Sequence, residues 1–111
     1  MGGGNVHVVE TKLEWDQKLK EAGSKPVIVD FTATWCGPCR IIAPVFEELS
    51  TKYPSIVFLK VDVDKNEAVA GACGISAMPT FQVYKEGKKI HEMVGASKEN
   101  LENLVAQLAS S

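Results

Sequence analysis

Two cysteines three positions apart, Cys36 and Cys39, are the residues best suited to chemistry in this chain of 111 residues. They stand where an apolar, strand-like run gives way to a helical pattern. The start of a helix presents unpaired N–H groups and the positive end of the helix dipole, and both stabilise a thiolate. Pro38 suits a first helical turn, because its φ is already helical and its missing N–H is not needed there. We therefore expect Cys36 to attack as a nucleophile and Cys39, one turn further on, to close a disulfide behind it.

A carboxylate inside an apolar strand is the second candidate group. Asp30 interrupts the apolar run at residues 26–31, six positions before Cys36. Burial of a carboxylate is costly unless it is paired or neutral, and desolvation raises its pKa toward the range useful for proton transfer near neutrality. Alternatively, Asp30 forms an ion pair with Lys60, which the pattern places on a neighbouring strand. Both interpretations stay open at this point.

The same cysteine pair could be half of a zinc site. Structural zinc needs four ligands, and the remaining candidates, Cys73, His7 and His91, are scattered along the chain without pairing. We therefore expect no metal. We expect Cys73 to behave as a small buried hydrophobic residue, with a regulatory thiol as the alternative. The two histidines have no apparent partner in the sequence, and we expect both on the solvated surface.

An acidic cluster is the other candidate cation site. It comprises Asp62, Asp64 and Glu67, and it lacks the dense carboxylate spacing of a calcium loop. A solvated turn between a strand and a helix is the better interpretation.

Composition and charge exclude several classes of protein. The net charge of −2 argues against a nucleic-acid partner. No apolar run approaches the roughly 20 residues needed to span a bilayer, so we expect no membrane partner. Residues 1–5 have no apolar signal core, and three cysteines, an odd number, fit a reducing compartment. We therefore expect a cytoplasmic, monomeric protein with a flexible tail at residues 1–5 and a single domain at residues 6–111.

Periodicity predicts the elements that must hold these groups in place. Strands are predicted at residues 6–9, 26–31, 56–63, 80–85 and 88–94. Helices are predicted from a capping box at Thr11 to Gly23, from the cysteines to about residue 53, at about residues 66–73, and from a cap at Ser97 to residue 108. Trp15 should face the core from the first helix. The order indicates an α/β sandwich whose first three strands are largely parallel and whose last two form an antiparallel hairpin at one side.

Four segments, at residues 29–39, 58–64, 78–81 and 94–96, carry a resemblance to a known family that runs from about residue 6 to about residue 108. They resemble the thioredoxin family, and most closely the h-type thioredoxins of plant cytosol. The resemblance implies the thioredoxin fold, a central mixed sheet of about five strands flanked by four helices. It also implies a two-electron protein-disulfide reductase with no bound cofactor. Its partners would be disulfide-containing target proteins and an NADPH-dependent thioredoxin reductase that restores the dithiol.

The resemblance also implies roles for individual residues. Asp30 would accept a proton from Cys39 through water. The expected place of Lys60 on the neighbouring strand, rather than the resemblance, makes it a modulator of the Asp30 pKa. Met78 and Pro79 would form a cis-proline loop that packs against the cysteines and pairs with an extended segment of the target. The substrate-binding surface would comprise Trp35, Gly37, Pro38, Met78, Pro79, Gly95 and Ala96. For Trp35 and Met78 the alternative is an ordinary place in the core.

Two other functions use the same fold. One is a disulfide isomerase or oxidase, although such domains tend to hold His where Pro38 stands, and this chain shows neither a signal peptide nor a C-terminal retention sequence. The other is a chaperone or binding module that works independently of redox chemistry. The intact Cys36, Cys39 and Asp30 favour the reductase.

Overall fold

A computed structural model describes residues 3–110 of the chain. Within that range the chain forms five strands and four helices, which alternate except for two successive strands at residues 80–94. In chain order they are β1 (Val6–Val8), α1 (Lys12–Ala22), β2 (Val27–Thr32), α2 (Gly37–Lys52), β3 (Val57–Asp62), α3 (Glu67–Ala72), β4 (Thr80–Lys85), β5 (Lys88–Val94) and α4 (Lys98–Ala109). Each predicted element is present, with ends that differ by a few residues at most.

The strands form one mixed sheet in the order β1-β3-β2-β4-β5. Strands β1, β3 and β2 run parallel, whereas β4 is antiparallel to β2 and β5 is antiparallel to β4. This confirms the predicted fold class, including the antiparallel hairpin at one side. Strand β2 is therefore hydrogen-bonded along both edges, and Asp30 lies opposite Lys60 of β3 in the register.

The two faces of the sheet bury separate hydrophobic clusters. On one face, α2 and α4 pack against side chains that include Ile28 and Phe58. On the other face, α1 and α3 pack against side chains that include Val29 and Phe31, and Trp15 lies there as predicted. Because alternate residues of β2 point to opposite faces, all its apolar side chains are buried, as its nearly continuous apolar run indicated.

The start of α1 corrects one prediction. The Thr11 hydroxyl accepts the Glu14 N–H at 3.0 Å, as a capping box requires, but the Glu14 carboxylate accepts the N–H of Glu10 rather than that of Thr11. Its second oxygen is bonded to Nε2 of His7 on β1. The expectation that His7 has no partner was wrong, because the turn between β1 and α1 brings the two side chains together. These two hydrogen bonds, from the Glu10 backbone and then from His7, hold the pKa of Glu14 below its ordinary value.

The residues before β1 contact the C-terminal half of α2. The Asn5 N–H donates to the hydroxyl of Ser50 at 2.8 Å, and Ser50 is buried. Gly4 has a φ of 60°, and a Cβ at this position would come within 2.6 Å of the Glu47 carbonyl oxygen. The boundary of the predicted tail at residue 5 stays a prediction, and residues 1, 2 and 111 lie outside the described residues.

Phe46 of α2 offers a test of the packing around the sheet. It is fully buried, and its ring centroid lies 5.2 Å from that of Phe58 and 5.6 Å from that of Phe81. We expect Phe46→Ala to lower the free energy of unfolding by about 3 to 5 kcal/mol, because it leaves a cavity beside the rings of Phe58 and Phe81. Urea unfolding measures the change. The matched control is Ile41→Ala on the same helix, where the side chain is 75% exposed and the expected change is within about 0.5 kcal/mol. Equal losses in both variants would contradict this account of the packing.

Candidate active site

Helix α2 begins at the cysteine pair. Cys36 is its N-cap, and the Cys36 Sγ accepts the N–H of Cys39 at 3.2 Å. Gly37 and Pro38 are the first two helical residues, half-buried and exposed respectively. This confirms the position predicted for Cys36, just before the first turn, where a backbone N–H points at its sulfur.

A disulfide joins Cys36 and Cys39, whose Cα atoms are 5.3 Å apart. Both residues are largely buried, with exposures of 6% for Cys36 and 1% for Cys39. They form a small apolar cluster with Ala33, against which Val63 and Met78 pack. The pair can therefore carry two electrons as a dithiol or a disulfide, and Cys36 is the more accessible of its two members.

The loop before β4 faces the cysteines. The peptide bond between Met78 and Pro79 is cis, as the family resemblance implied. The Met78 carbonyl oxygen lies 3.9 Å from the Cys36 Sγ, and the Pro79 carbonyl accepts the N–H of Gly95 at 2.9 Å. Pro79 is buried, whereas Met78, Gly95 and Ala96 are partly exposed. The fold thus brings residues from three distant parts of the sequence to one edge of the cysteine pair.

Trp35 lies on the surface beside Cys36 with 64% of its area exposed, so the alternative of a core position for it was wrong. Its indole N–H donates to Asp64 Oδ2 at 2.7 Å. The sequence analysis missed this partner and placed Asp64 in a solvated turn. The signal for it was available, because parallel pairing of β2 and β3 places the segments that follow them at the same edge of the sheet.

Arg40 is a second residue that the sequence analysis missed. Its guanidinium Nη1 donates to the Thr34 carbonyl oxygen at 2.8 Å, in the loop between β2 and α2. A cation so close to the N-terminus of a helix opposes the helix dipole. The sequence signal was therefore available: an Arg placed directly after Cys39, near the start of a helix, is unfavourable unless its side chain has a specific partner.

Asp30 lies beneath this site, fully buried on β2. Neither of its carboxylate oxygens has a hydrogen-bond partner among the described residues, and no direct ion pair joins it to Lys60. The ion-pair alternative was therefore wrong in its direct form. Burial raises the pKa of Asp30 from 3.8 to about 7, and the positive charge of Lys60 acts in the opposite direction. The carboxyl group can thus hold or release a proton near neutrality.

Cys73 lies apart from this pair, after α3. It is only half-buried, although it packs against the cluster on the α1 and α3 face. Its Sγ lies 3.4 Å from the hydroxyl of Tyr84, which donates to Gln82 Oε1 at 2.7 Å. Burial raises the pKa of the Cys73 thiol. Cys73 therefore packs against apolar side chains as expected, but it is less buried than expected and is a weakly acidic thiol with a polar neighbour.

Within residues 3–110, no three His, Cys, Asp or Glu side chains cluster closely enough to hold a metal ion. No helix in the same range is long and apolar enough to cross a membrane.

Comparison with known families identifies the family to which this fold belongs. The family model described as Thioredoxin matches residues 6–108. The chain belongs to the thioredoxin family. This confirms the resemblance, which rested on the segments around the cysteines, β3, Pro79 and Gly95.

Similar thioredoxins cover nearly the whole chain. An H-type thioredoxin of Chlamydomonas reinhardtii is 54% identical, over 98% of this chain and 99% of its own length. A thioredoxin of Ovis aries is 50% identical, over 93% of this chain and 98% of its own. Among solved structures, a poplar wild-type thioredoxin h has a TM-score of 0.93 at 44% identity and covers 97% of this chain and 99% of its own. The chain is a protein-disulfide reductase, with disulfide-containing proteins and thioredoxin reductase as the general partners of its family.

The pKa of Asp30 leads to a test of stability against pH. Because the pKa is raised from 3.8 to about 7, the folded protein binds this proton more tightly than the unfolded chain. Its stabilising contribution is complete below pH 3.8 and is lost as the pH rises through 7. We expect Asp30→Asn to raise the free energy of unfolding by about 1 to 3 kcal/mol at about pH 8. The shift itself corresponds to roughly 4 kcal/mol, and the unpartnered amide of Asn offsets part of it.

Urea unfolding of the wild type and the variant across this pH range measures the difference. The gain should disappear near pH 4, where Asp30 is protonated in the folded protein, and the unpartnered amide of Asn should then leave the variant no more stable than the wild type. Asp16→Asn is the matched control, because that carboxylate is exposed and pairs with Lys12 on the surface. A gain for Asp30→Asn that is constant with pH, or that matches the control, would contradict the raised pKa.

Proposed function

We propose that Cys36 is the nucleophile of the reductase and Cys39 the resolving cysteine. The position of Cys36 at the N-cap of α2 carries this proposal. The Cys39 N–H that points at its sulfur and the helix dipole both stabilise a thiolate there. Cys39 is more deeply buried, so an incoming protein disulfide reaches Cys36 first.

The reaction is two successive thiol–disulfide exchanges from the dithiol form. The Cys36 thiolate attacks one sulfur of the target disulfide, which forms a mixed disulfide and releases the other target sulfur as a thiolate. Cys39 then loses its proton, and its thiolate attacks the Cys36 Sγ. The mixed disulfide breaks, the second target sulfur leaves as a thiolate, and Cys36 and Cys39 end joined. Two electrons have passed to the target.

Asp30 is the proposed acceptor of the Cys39 proton. Its unpartnered, fully buried carboxylate and its pKa of about 7 support this role, because such a group is partly ionised at neutrality. A groove lined by Cys39 and Lys60 runs between β1, β3 and the start of α2. This groove would admit the water that relays the proton. Lys60 modulates Asp30, since its charge lowers the pKa that burial raises.

The residues around the cysteines are the proposed docking surface for the target. It comprises Trp35, Gly37, Pro38, Met78, Pro79, Gly95 and Ala96. The exposure of Trp35 supports this assignment, and so does the position of the Met78 carbonyl beside Cys36, where a backbone amide of an extended target segment could bond.

The remaining features of the proposal follow the h-type relatives. The protein works as a monomer in the cytoplasm, with no bound cofactor, and binds neither nucleic acid nor membrane. An NADPH-dependent thioredoxin reductase restores its dithiol. The similarity to H-type thioredoxins and the net charge of −2 support these points.

A redox titration of the Cys36–Cys39 pair separates the reductase from the isomerase, since the reductase requires the more reducing potential.

Trapping of target proteins tests the division of labour between the cysteines. Cys39→Ser should still attack targets through Cys36 but cannot resolve the mixed disulfide, because a hydroxyl is too weak an acid to supply the second nucleophile. We expect covalent adducts with proteins of a cell extract to accumulate on a non-reducing gel and to disappear with dithiothreitol.

The matched variant is Cys36→Ser, which should trap far less because its remaining thiol is buried. Equal trapping by the two variants would contradict the assignment of Cys36 as nucleophile. Cys73→Ser is added to each variant, and loss of the adducts on that change would show that the third thiol had formed them.

A further inference from the structure

The loop that carries Trp35 and Cys36 is attached to α2 at two points. This loop, residues 33–36, links the end of β2 to the start of the helix. The Cys36 carbonyl accepts the backbone N–H of Arg40 at 3.3 Å, and the Thr34 carbonyl accepts the guanidinium of Arg40 at 2.8 Å. A single residue, one position after Cys39, therefore bonds both ends of the segment from Thr34 to Cys36.

The hydrogen bond from the Arg40 guanidinium to the Thr34 carbonyl forms at an unfavourable place for a cation. This cation lies near the positive end of the α2 dipole, which is an electrostatically unfavourable position. The first turn of α2 contains no acidic residue that would offset it. Arg40 is also exposed, so its side chain contributes little to the core. Within residues 3–110, the bond to the Thr34 carbonyl is the hydrogen bond that the structure shows for the guanidinium.

We propose that Arg40 is a positioning residue for Cys36. The guanidinium holds the loop against the first turn of α2, so that the Cys36 sulfur stays in reach of the Cys39 N–H, 3.2 Å away in the oxidised structure. When the loop is released, the reduced sulfur spends less time at this donor, and its thiolate is less stabilised. The proposal rests on the proposed role of Cys36 as the nucleophile.

A simpler account is that Arg40 acts through its charge alone. A nearby cation stabilises a thiolate at a distance, without any bond to the loop. The two accounts differ in two respects. A long-range charge effect between exposed groups is screened by salt, whereas a short hydrogen bond is much less so. Lys keeps the charge but lacks the planar fork of Arg, so it restores a charge effect fully and a geometric effect only in part.

The test measures the alkylation of Cys36 by iodoacetamide against pH. The protein is the full chain, reduced, with Cys73→Ser so that the third thiol is silent. Mass spectrometry assigns the modified cysteine. We expect Arg40→Met to lower the alkylation rate of Cys36 about threefold at neutral pH and to move the midpoint of the pH–rate profile upward, since only the thiolate reacts. The change should persist at high salt, and Arg40→Lys should restore only part of the rate.

A matched control separates the tether from a general loss of charge. Lys52→Met removes a cation from the last turn of the same helix and should leave the profile unchanged. Unfolding of each variant by urea shows whether it is folded. An unchanged profile in Arg40→Met would overturn the proposal, and so would full restoration by Arg40→Lys together with loss of the effect at high salt.

A different result would show that Cys36 is not the nucleophile. In that case iodoacetamide would modify Cys39 before Cys36 in the parent protein, which carries Cys73→Ser and an unchanged Arg40. A Cys36 that reacts first in the parent protein, with no response to Arg40→Met, would overturn the tether alone.

Discussion

Strand β2 is held on every side, and the geometry of the redox site depends on this constraint. It is hydrogen-bonded to β3 along one edge and to β4 along the other, and helices cover both of its faces. A strand so confined has little freedom to shift, because one step in register would turn its buried side chains to the opposite face. Its end at Thr32 therefore fixes where the loop to α2 starts, and with it the position of Cys36.

The same confinement creates the unusual chemistry of Asp30. A fully buried position on β2 is unfavourable for a carboxylate, and residues 3–110 supply neither a hydrogen bond nor a direct ion pair to compensate. The group responds through its pKa, which rises to about 7. Stability near neutral pH is thus reduced at the position that we propose as the proton acceptor. Functional sites commonly combine local destabilisation with a useful pKa in this way.

Contacts from outside β2 complete the site. The loop of Met78 and Pro79 lies against Cys36, and Gly95 is hydrogen-bonded to Pro79. Asp64 orients the exposed indole of Trp35 from the turn after β3. These contacts all lie at the edge where β2 and β3 end and β4 begins. The antiparallel pairing of β4 with β2 is what brings the segment around Pro79 to the cysteines.

Local sequence patterns determined the secondary-structure elements of this protein and their order. Several elements are defined by contacts between residues close in sequence. They are the apolar run of β2, the helix caps at Thr11, Asn66 and Ser97, and the turn at residues 86–87 that joins β4 to β5. The order of those elements then restricts the sheet to few topologies. The place of Cys36 before the first turn of α2 was predictable for the same reason, since the helix start and Pro38 are local features.

Only the tertiary structure decided which distant side chains meet. Sequence patterns placed Lys60 beside Asp30 but could not show that the two form no direct ion pair. They left His7 without the Glu14 partner and Trp35 without Asp64. Each of these outcomes depends on distances of a few ångströms between side chains on different elements. Such distances are set by the packing of the whole domain, and a single sequence records that packing only indirectly.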